Sequence, residues 1–597
     1  MLDAVANVLD VRSSVTGRPW VDRLDGAAVR TAAAISQRTS LSEILARIVA
    51  ARGVGLEEAE SFLLPTIRAL MPDPSTLVDM DIAADRLAAA IANNERIALF
   101  GDYDVDGASA CALVTRYLRH FGLAPEVYIP DRVFEGYGPN VAAMDKLIDA
   151  GATLIVTLDC GTVSDDPIAH ARSRGADVVV VDHHLSDFEL PKATAIVNPN
   201  RPDDVSGLGY LCATGVAFMV LVATNRVLRD RGDTGVPDLM GLVDLPGLAT
   251  VCDLVPLTGL NRAFVQRGLE AARRGSNKGI AALALAARIS GPLNPYHFGY
   301  LVGPRINAGG RIGNAALGAR LLAIDDEHEA LVLAAQLSEL NDERQRIEVA
   351  AVEEAASVAE AEIGGGEGPP VLVLASANWH PGVVGLVAAR LRERFDRPTF
   401  AIAMAPDGTG TGSGRSMPGV DLGSAVIAAV EAGLIAKGGG HAMAAGVTIK
   451  PGQMGPFRAH LFETLGPSVA AARARTDPKI DAAITARAAT PGFVRDIERA
   501  GPFGAGNPQP VFVFPAHRVK FPDVVGVGGH IRFTLASDDG ARLKAIAFRA
   551  ASGPLGQALL GAGDAPLHLA ATLSVDQWQG REEVQARVID AAIPPST

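Results

Sequence analysis

Three carboxylates alternate along Gly101-Asp102-Tyr103-Asp104-Val105-Asp106-Gly107. Acids this close repel one another unless a divalent cation sits among them; the other reading is a solvated acidic turn. Two further polar groups follow apolar runs in the same way: Asp159 in Thr157-Leu158-Asp159-Cys160-Gly161-Thr162, and Asp182-His183-His184 after four valines. Asp253 stands alone between apolar residues in Val251-Cys252-Asp253-Leu254-Val255, a place where an acid is ordinarily a cap or solvated. Arg305 and Arg311 flank glycines in 303–315, which reads as a loop suited to phosphate oxygens or as a structural turn carrying surface arginines. Gly412-Ser413-Gly414-Arg415-Ser416 and Gly438-Gly439-Gly440-His441-Ala442 add polar groups among glycines. The second reads as a glycine-rich turn presenting a histidine before a small-residue helix, able to hold an anion or simply to pack.

The elements that must position these groups are visible as apolar runs. Residues 97–100, 154–158 and 178–181 read as buried strands, separated by helical stretches. Continuous apolar strands alternating with helices predict a parallel sheet covered on both faces, and such sheets bind ligands outside the carboxyl ends of their strands. The acidic groups sit at those ends, so separate strands aim them at one crevice. From Ala319 to Ile363 there is neither glycine nor proline, which predicts a long helix through much of the stretch, about 50–60 Å and suited to bridging domains. A second α/β domain begins with the strand 371–374. Five short strands between 511 and 589 predict a small β-barrel, with the OB type the natural guess. Lys520, Arg532, Lys544, Arg549, Trp578 and Arg581 form either a strip for single strands or a solvated β face.

The fold class is therefore multi-domain α/β. The expected division is a helical N-terminal segment 1–75, a parallel-sheet domain 76–265, a helical connector 266–365, a second α/β domain 366–470 and an OB-like barrel 471–597. A chain of 597 residues is too long for one core. No eighteen-residue apolar run occurs, so no membrane helix is expected, and Asp3, Asp10, Arg12 and Arg18 stand where a signal peptide needs an apolar core. Four cysteines without a C-x-x-C pair suggest neither a zinc site nor a disulfide framework, and a cytoplasmic location is expected. A net charge of −13 excludes a surface that grips nucleic acid everywhere, while leaving room for a local basic groove.

Taken in order, the D-x-D-x-D-G stretch, the Asp159 turn, Asp182-His183-His184 and Asp253 resemble the four motifs of the DHH phosphoesterase superfamily, and Gly438 to Gly446 resembles its companion DHHA1 domain. Gly303 to Arg311, Trp379 to Gly385, Gly412 to Ser416 and Pro502 to Pro508 narrow the resemblance to the RecJ-type exonucleases, from about residue 75 to the end. Gly309 and Gly310 stand where that family often has Ala-Ala or Ala-Gly, with nothing important expected to follow.

The resemblance implies 5′-to-3′ digestion of single-stranded DNA to 5′-mononucleotides, in repair and recombination, by water activated on two ions, Mn²⁺ or Mg²⁺. It implies that Asp104 holds one ion and Asp106 the other, with Asp159 between them, and that His183 and Asp253 complete the second site. Asp102 is a ligand or supports one. Asp182 orients the imidazole beside it, and His184 meets the scissile phosphate. Arg132, Ser413 and Arg415 clamp the 5′ phosphate, Arg305 and Arg311 contact strand phosphates, and His441 lies near the reacting nucleotide. A helicase and a single-strand-binding protein are the implied partners, and a closed cleft suggests a monomer. The competing readings are a phosphodiesterase of the same class acting on short oligonucleotides or cyclic dinucleotides, and a strand-binding protein without catalysis.

Overall fold

The computed structural model describes residues 7–595 except 132–134, 187–188, 365, 474–476, 527 and 579–580. The chain divides into two compact units. One holds residues 72–255 and 267–475; the other holds 1–71, 256–266 and 476–597.

The first unit opens on α1 (Met80–Ala92) and a five-stranded parallel sheet. Its strands are β1 (Ile97–Gly101), β2 (Glu126–Tyr128), β3 (Leu154–Leu158), β4 (Asp177–Val181) and β5 (Ala195–Val197), in spatial order β2-β1-β3-β4-β5. Every residue of β1 and β3 is buried, as expected of strands covered on both faces. The helices between them are α2 (Val105–His120), α3 (Val141–Asp149) and α4 (Asp165–Ser173); α5 (Ala213–Asp230) and α6 (Asp244–Cys252) follow. Register decides what the sheet presents. Gly101 pairs with Leu158 and Leu158 with Val181, so Asp102, Asp159 and Asp182 each stand one residue beyond a matched row. Their backbone amides continue the ladder onto Leu158, Val181 and Val197.

The segment 303–312 is a helix, α7 (Gly303–Ile312), entered through a π-turn at 297–302, and not the loop its glycines suggest. Those glycines serve contact instead of flexibility. A Cβ at Gly303 would sit 2.6 Å from Cys252 Sγ, and one at Gly310 would sit 2.7 Å from the Tyr103 carbonyl. The long helix α8 (Glu327–Ile363) starts at the Asp326 cap and stops at Gly364, whose φ of 59° lies in the left-handed region. Its 37 residues span about 55 Å. Its alanines at 351, 355, 356 and 359 bury against Leu374, Trp379, Val387 and Leu391.

Beyond it lies a mixed sheet of β6 (Leu372–Ser376), β7 (Thr399–Met404), β8 (Gly410–Arg415), β9 (Lys437–His441) and β10 (Ala444–Ile449), in order β9-β10-β8-β7-β6, with α9 (Val384–Phe395) and α10 (Leu422–Glu431). Gly438 to Gly446 is thus a tight antiparallel hairpin and not a turn leading into a helix. Residues 444–446 pair as a strand where a helix was expected. A Cβ at Gly440 would fall 2.2 Å from the Ala444 carbonyl, so the close hairpin requires glycine there.

The second unit contains the barrel: β11 (Phe512–Val525), β12 (His530–Ala536), β13 (Arg542–Ala547), β14 (Pro566–Trp578) and β15 (Arg581–Ala592). Pairing runs β11-β12-β13-β15-β14 and returns from β14 to β11, so the sheet closes. Phe514, Leu535, Leu569 and Ala586 share one core with Ile35, Leu45, Ile48 and Val49 of the N-terminal helices. The expected basic strip is largely charge-compensated. Lys520 pairs with Asp564, Arg532 with Asp523 and Lys544 with Glu583, while the side chains of Trp578 and Arg581 lie outside the described residues.

Asp244 opens α6 fully buried, and burial pushes its carboxyl up to about 6. The fold therefore favours the protonated acid. That preference is complete below pH ~4 and is lost as pH rises through ~6, leaving a cost of about 3 kcal/mol at neutral pH. Asp244→Asn removes the titration. The difference in melting temperature, variant minus wild type, should grow between pH ~4.5 and ~7 and then level; a pH-independent difference would refute the assignment.

Candidate metal centre

Asp104 ends the turn after β1 as the N-cap of α2, its Oδ1 accepting from the amides of Asp106 (2.8 Å) and Gly107 (3.2 Å). Only glycine fits at 107, since a Cβ would lie 2.5 Å from the Asp102 carbonyl. Asp106 points the other way, toward the N-terminus of α5. Its Oδ2 accepts from Ala213 N at 2.6 Å, and its Oδ1 accepts from Thr214 N at 2.8 Å and Thr214 Oγ1 at 2.6 Å. Helix-terminal amides and a hydroxyl thus hold a buried carboxylate in one orientation.

Asp159 sits at φ 65°, a conformation aspartate tolerates better than most residues. Asp253 caps the C-terminal end of α6. His183 joins these acids: its Nε2 is 3.3 Å from Asp159 Oδ1, 3.6 Å from Asp253 Oδ2 and 3.9 Å from Asp106 Oδ2. Three candidate ligand sets overlap among the described residues, one of them Asp159, His183 and His184. Asp102, Asp104 and Asp159 bring oxygens within 4.8 Å of one another, and so do the ligand atoms of Asp106, His183 and Asp253.

The electrostatics show what this arrangement lacks. Burial raises the Asp104 carboxyl, and the charge of Asp106 raises it further. Burial lifts Asp159 and Asp253 well above the carboxylate range, with Asp106, Asp104 and Asp102 adding repulsion to both. Asp159 Oδ1 and Asp253 Oδ2 are buried with no hydrogen-bond donor among the described residues. Orphaned acceptors in a self-repelling cluster are what a pair of divalent cations would satisfy. Oxygen ligands fit Mg²⁺, and the imidazole moves the set toward Mn²⁺.

Asp182 lies behind this cluster. Its Oδ2 accepts from Thr162 N and Oγ1, and its Oδ1 accepts from His184 Nδ1 at 2.7 Å and His183 N at 2.8 Å. The ring it orients is that of His184, not that of His183 beside it, because the chain turns after Asp182 and sends the first imidazole into the carboxylate cluster. Burial works against charge on both partners, but the hydrogen bond and mutual attraction win: Asp182 is held well below the usual range and His184 is pushed up to about 9.

The helix α7 links this centre to the second sheet. Its Gly310 touches the acidic turn at Tyr103, and Arg311 Nη1 donates to the Gly382 carbonyl at 3.1 Å. A Cβ at Gly385 would meet Arg415 Nη2 at 2.9 Å and Ser413 Oγ at 3.2 Å, and Arg415 Nη1 donates to Ser413 Oγ at 2.7 Å. His441 ends β9 at the tip of the hairpin. Burial lowers its pKa, and the charges of Arg415 and His184 lower it further. Arg305 is committed elsewhere: it donates to Ser338 Oγ and to the Leu301 carbonyl. Arg132 lies outside the described residues.

Thr214 and Tyr137 also join the site. Tyr137 Oη donates to the Asp159 carbonyl at 3.2 Å and stands 3.3 Å from His184 Nδ1. The motif Glu135-Gly136-Tyr137-Gly138 could have flagged the tyrosine; Thr214 looks like any helix-starting threonine. Gly310 matters more than its exchangeability with alanine suggests. Gly310→Ala must push α7 away from the Tyr103 carbonyl, and cleavage should fall at least tenfold with the fold retained. Circular dichroism beside a nuclease assay checks this; a fully active variant would mean the contact is slack.

The sheet topology and the adjacent ligand sets are those of a phosphoesterase of the DHH–DHHA1 class carrying an OB-type barrel. Family models agree: the DHH family N-terminal domain matches residues 96–243, the DHHA1 domain 368–466 and the RecJ OB domain 480–590. The single-stranded-DNA-specific exonuclease RecJ of Bacillus subtilis (strain 168) is 30% identical over 564 residues, covering 94% of this chain and 69% of the relative. That of Escherichia coli (strain K12) is 37% identical over 489 residues, covering 79% of this chain and 83% of the relative. The crystal structure of RecJ in complex with Mn²⁺ from Thermus thermophilus is 27% identical, covers 97% of this chain and 79% of its own, and superposes with a TM-score of 0.77. The chain belongs to the RecJ family of single-stranded-DNA-specific exonucleases.

Proposed function

We propose that this protein degrades single-stranded DNA from its 5′ end to 5′-mononucleotides, using two divalent cations, Mn²⁺ or Mg²⁺, in DNA repair and recombination. The observation that supports this reading is the group of adjacent ligand sets with two orphaned buried carboxylate oxygens. When bound, the cations neutralise the phosphate and make water acidic enough to attack phosphorus.

The chain's own residues do the rest. Asp102, Asp104 and Asp159 would hold one cation; Asp106, His183 and Asp253 would hold the other. Thr214 and the α5 amides fix Asp106. Asp182 accepts from His184 Nδ1 and aims the ring, so that its Nε2 edge, beside Tyr137 Oη, can face a phosphate oxygen as negative charge builds there. Ser413 and Arg415, with Arg132, hold the terminal 5′ phosphate, and Arg311 ties that clamp to the centre. His441 lies against the reacting nucleotide. A clamp at one end makes the enzyme count from that end instead of cutting internally. Arg305, tied to Leu301 and Ser338, supports α7 and reaches strand phosphates only secondarily.

The protein acts as a cytoplasmic monomer, in keeping with four free thiols, on strand supplied by a helicase and a single-strand-binding protein. The test is digestion of 5′- and 3′-labelled single and double strands with and without Mn²⁺. Release of the 5′ label first, from single strands and only with metal, is expected. Preference for a dinucleotide would favour the short-substrate phosphodiesterase, and binding without cleavage would favour a non-catalytic role.

A further inference from the structure

Two tyrosines at the entrance to α7 have no part in the chemistry above. Tyr296 and Tyr300, one turn apart, are 55% and 68% exposed, and their rings stack with centroids 5.1 Å apart at 23°. His297 sets a third ring edge-on to Tyr296. Large aromatics exposed this far, stacked on each other, leave ring face in water that a further flat ring would cover.

Their place in the fold suggests which ring. A Cβ at Gly299 would lie 3.4 Å from Val251 and one at Gly303 2.6 Å from Cys252 Sγ, the residue before Asp253. The segment that bears the tyrosines therefore packs against the last turn of α6, whose C-terminal cap is the candidate ligand Asp253. Going on along the same helix, Gly310 meets the acidic turn and Arg311 meets Gly382 beside the Ser413–Arg415 clamp. The order along one rod is stacked tyrosines, metal centre, phosphate clamp. Tyr300 and Arg311 are separated by about 16 Å of rise, enough for a few nucleotides. The segment bearing Tyr300 is a π-turn, a distortion that recurs at functional sites.

We propose that Tyr296 and Tyr300 form a stacking platform for a nucleobase of the single strand on the 3′ side of the scissile phosphate. This rests on the exonuclease reading above. Aromatic rings stack on any base, so the platform would hold strand without selecting sequence. It would also keep the remaining strand in place while the cleaved mononucleotide leaves.

The experiment is a cycle between protein and DNA. An oligonucleotide is scanned with single abasic positions from the second to the sixth nucleotide, against wild type, Tyr296→Ala/Tyr300→Ala and Tyr296→Phe/Tyr300→Phe. Cleavage and fluorescence-anisotropy binding are both read. One abasic position should weaken wild-type binding and raise KM by roughly tenfold, within the range expected of a lost base stack. The alanine variant should show a similar loss on intact strand and little further loss at that position, while the phenylalanine variant behaves as wild type. Independent, multiplying losses, or an alanine variant that binds like wild type, would overturn the platform. Coupling seen in binding from a protein that never cleaves would leave the platform standing and sink the exonuclease reading.

Discussion

Asp159→Asn is expected to abolish cleavage, by about three orders of magnitude or more, while making the metal-free protein more stable. The two effects have one cause. Asp159 belongs to two of the overlapping ligand sets and lies 3.3 Å from the His183 imidazole, so removing its charge takes away a ligand oxygen those sets share. A loss of ~4 kcal/mol of transition-state stabilisation is about a thousandfold in rate. Without metal, the same carboxylate is buried among Asp106, Asp104, Asp102 and Asp253, all of which oppose its charge. The neutral amide relieves that opposition. Asparagine is chosen over alanine because φ at 159 is 65°, which asparagine accepts with little strain. Wild type should gain melting temperature steeply with added Mn²⁺; the variant should start higher, gain little and still bind strand. A variant that digests DNA at near the wild-type rate with metal present would end the two-cation reading.

The second large effect is expected from Asp182→Ala, with the opposite sign on stability. This carboxylate is buried and accepts from Thr162, His183 and His184. Its removal leaves the buried Thr162 and His183 donors without an acceptor and the half-exposed His184 imidazole without its partner, a loss of about 1–3 kcal/mol once solvent around His184 is allowed for. His184 should lose its elevated pKa and its fixed direction together, and kcat should drop by about a hundredfold or more. Asp182→Asn, which keeps an acceptor for His183 N, should recover much of the stability and less of the rate. Thermal unfolding and single-turnover cleavage separate the two. Wild-type kcat in the alanine variant would mean that His184 needs no orientation.

Much of the architecture could be read from local pattern. The alternating carboxylates, the apolar runs before Asp159 and Asp182, the glycine-free stretch that became α8 and the closing barrel strands all carry their periodicity in a few neighbouring residues. Glycine was the unreliable sign. In 303–312 and 438–446 it marks close approach of backbones, to Tyr103 and Cys252 in one case and across a hairpin in the other, and sequence alone does not separate that use from a flexible loop.

What the chain's order determined by itself was the set of polar groups at strand ends, because strand period and helix caps are local properties. What only the folded chain decided was the pairing of those groups. Register between β1, β3 and β4 lined up Asp102, Asp159 and Asp182. Packing brought Asp253 from the end of a helix to His183, Thr214 to Asp106 from 108 residues away, and Arg311 to Gly382. Such contacts join residues far apart in the chain, and their energy depends on burial, which no short stretch of sequence contains.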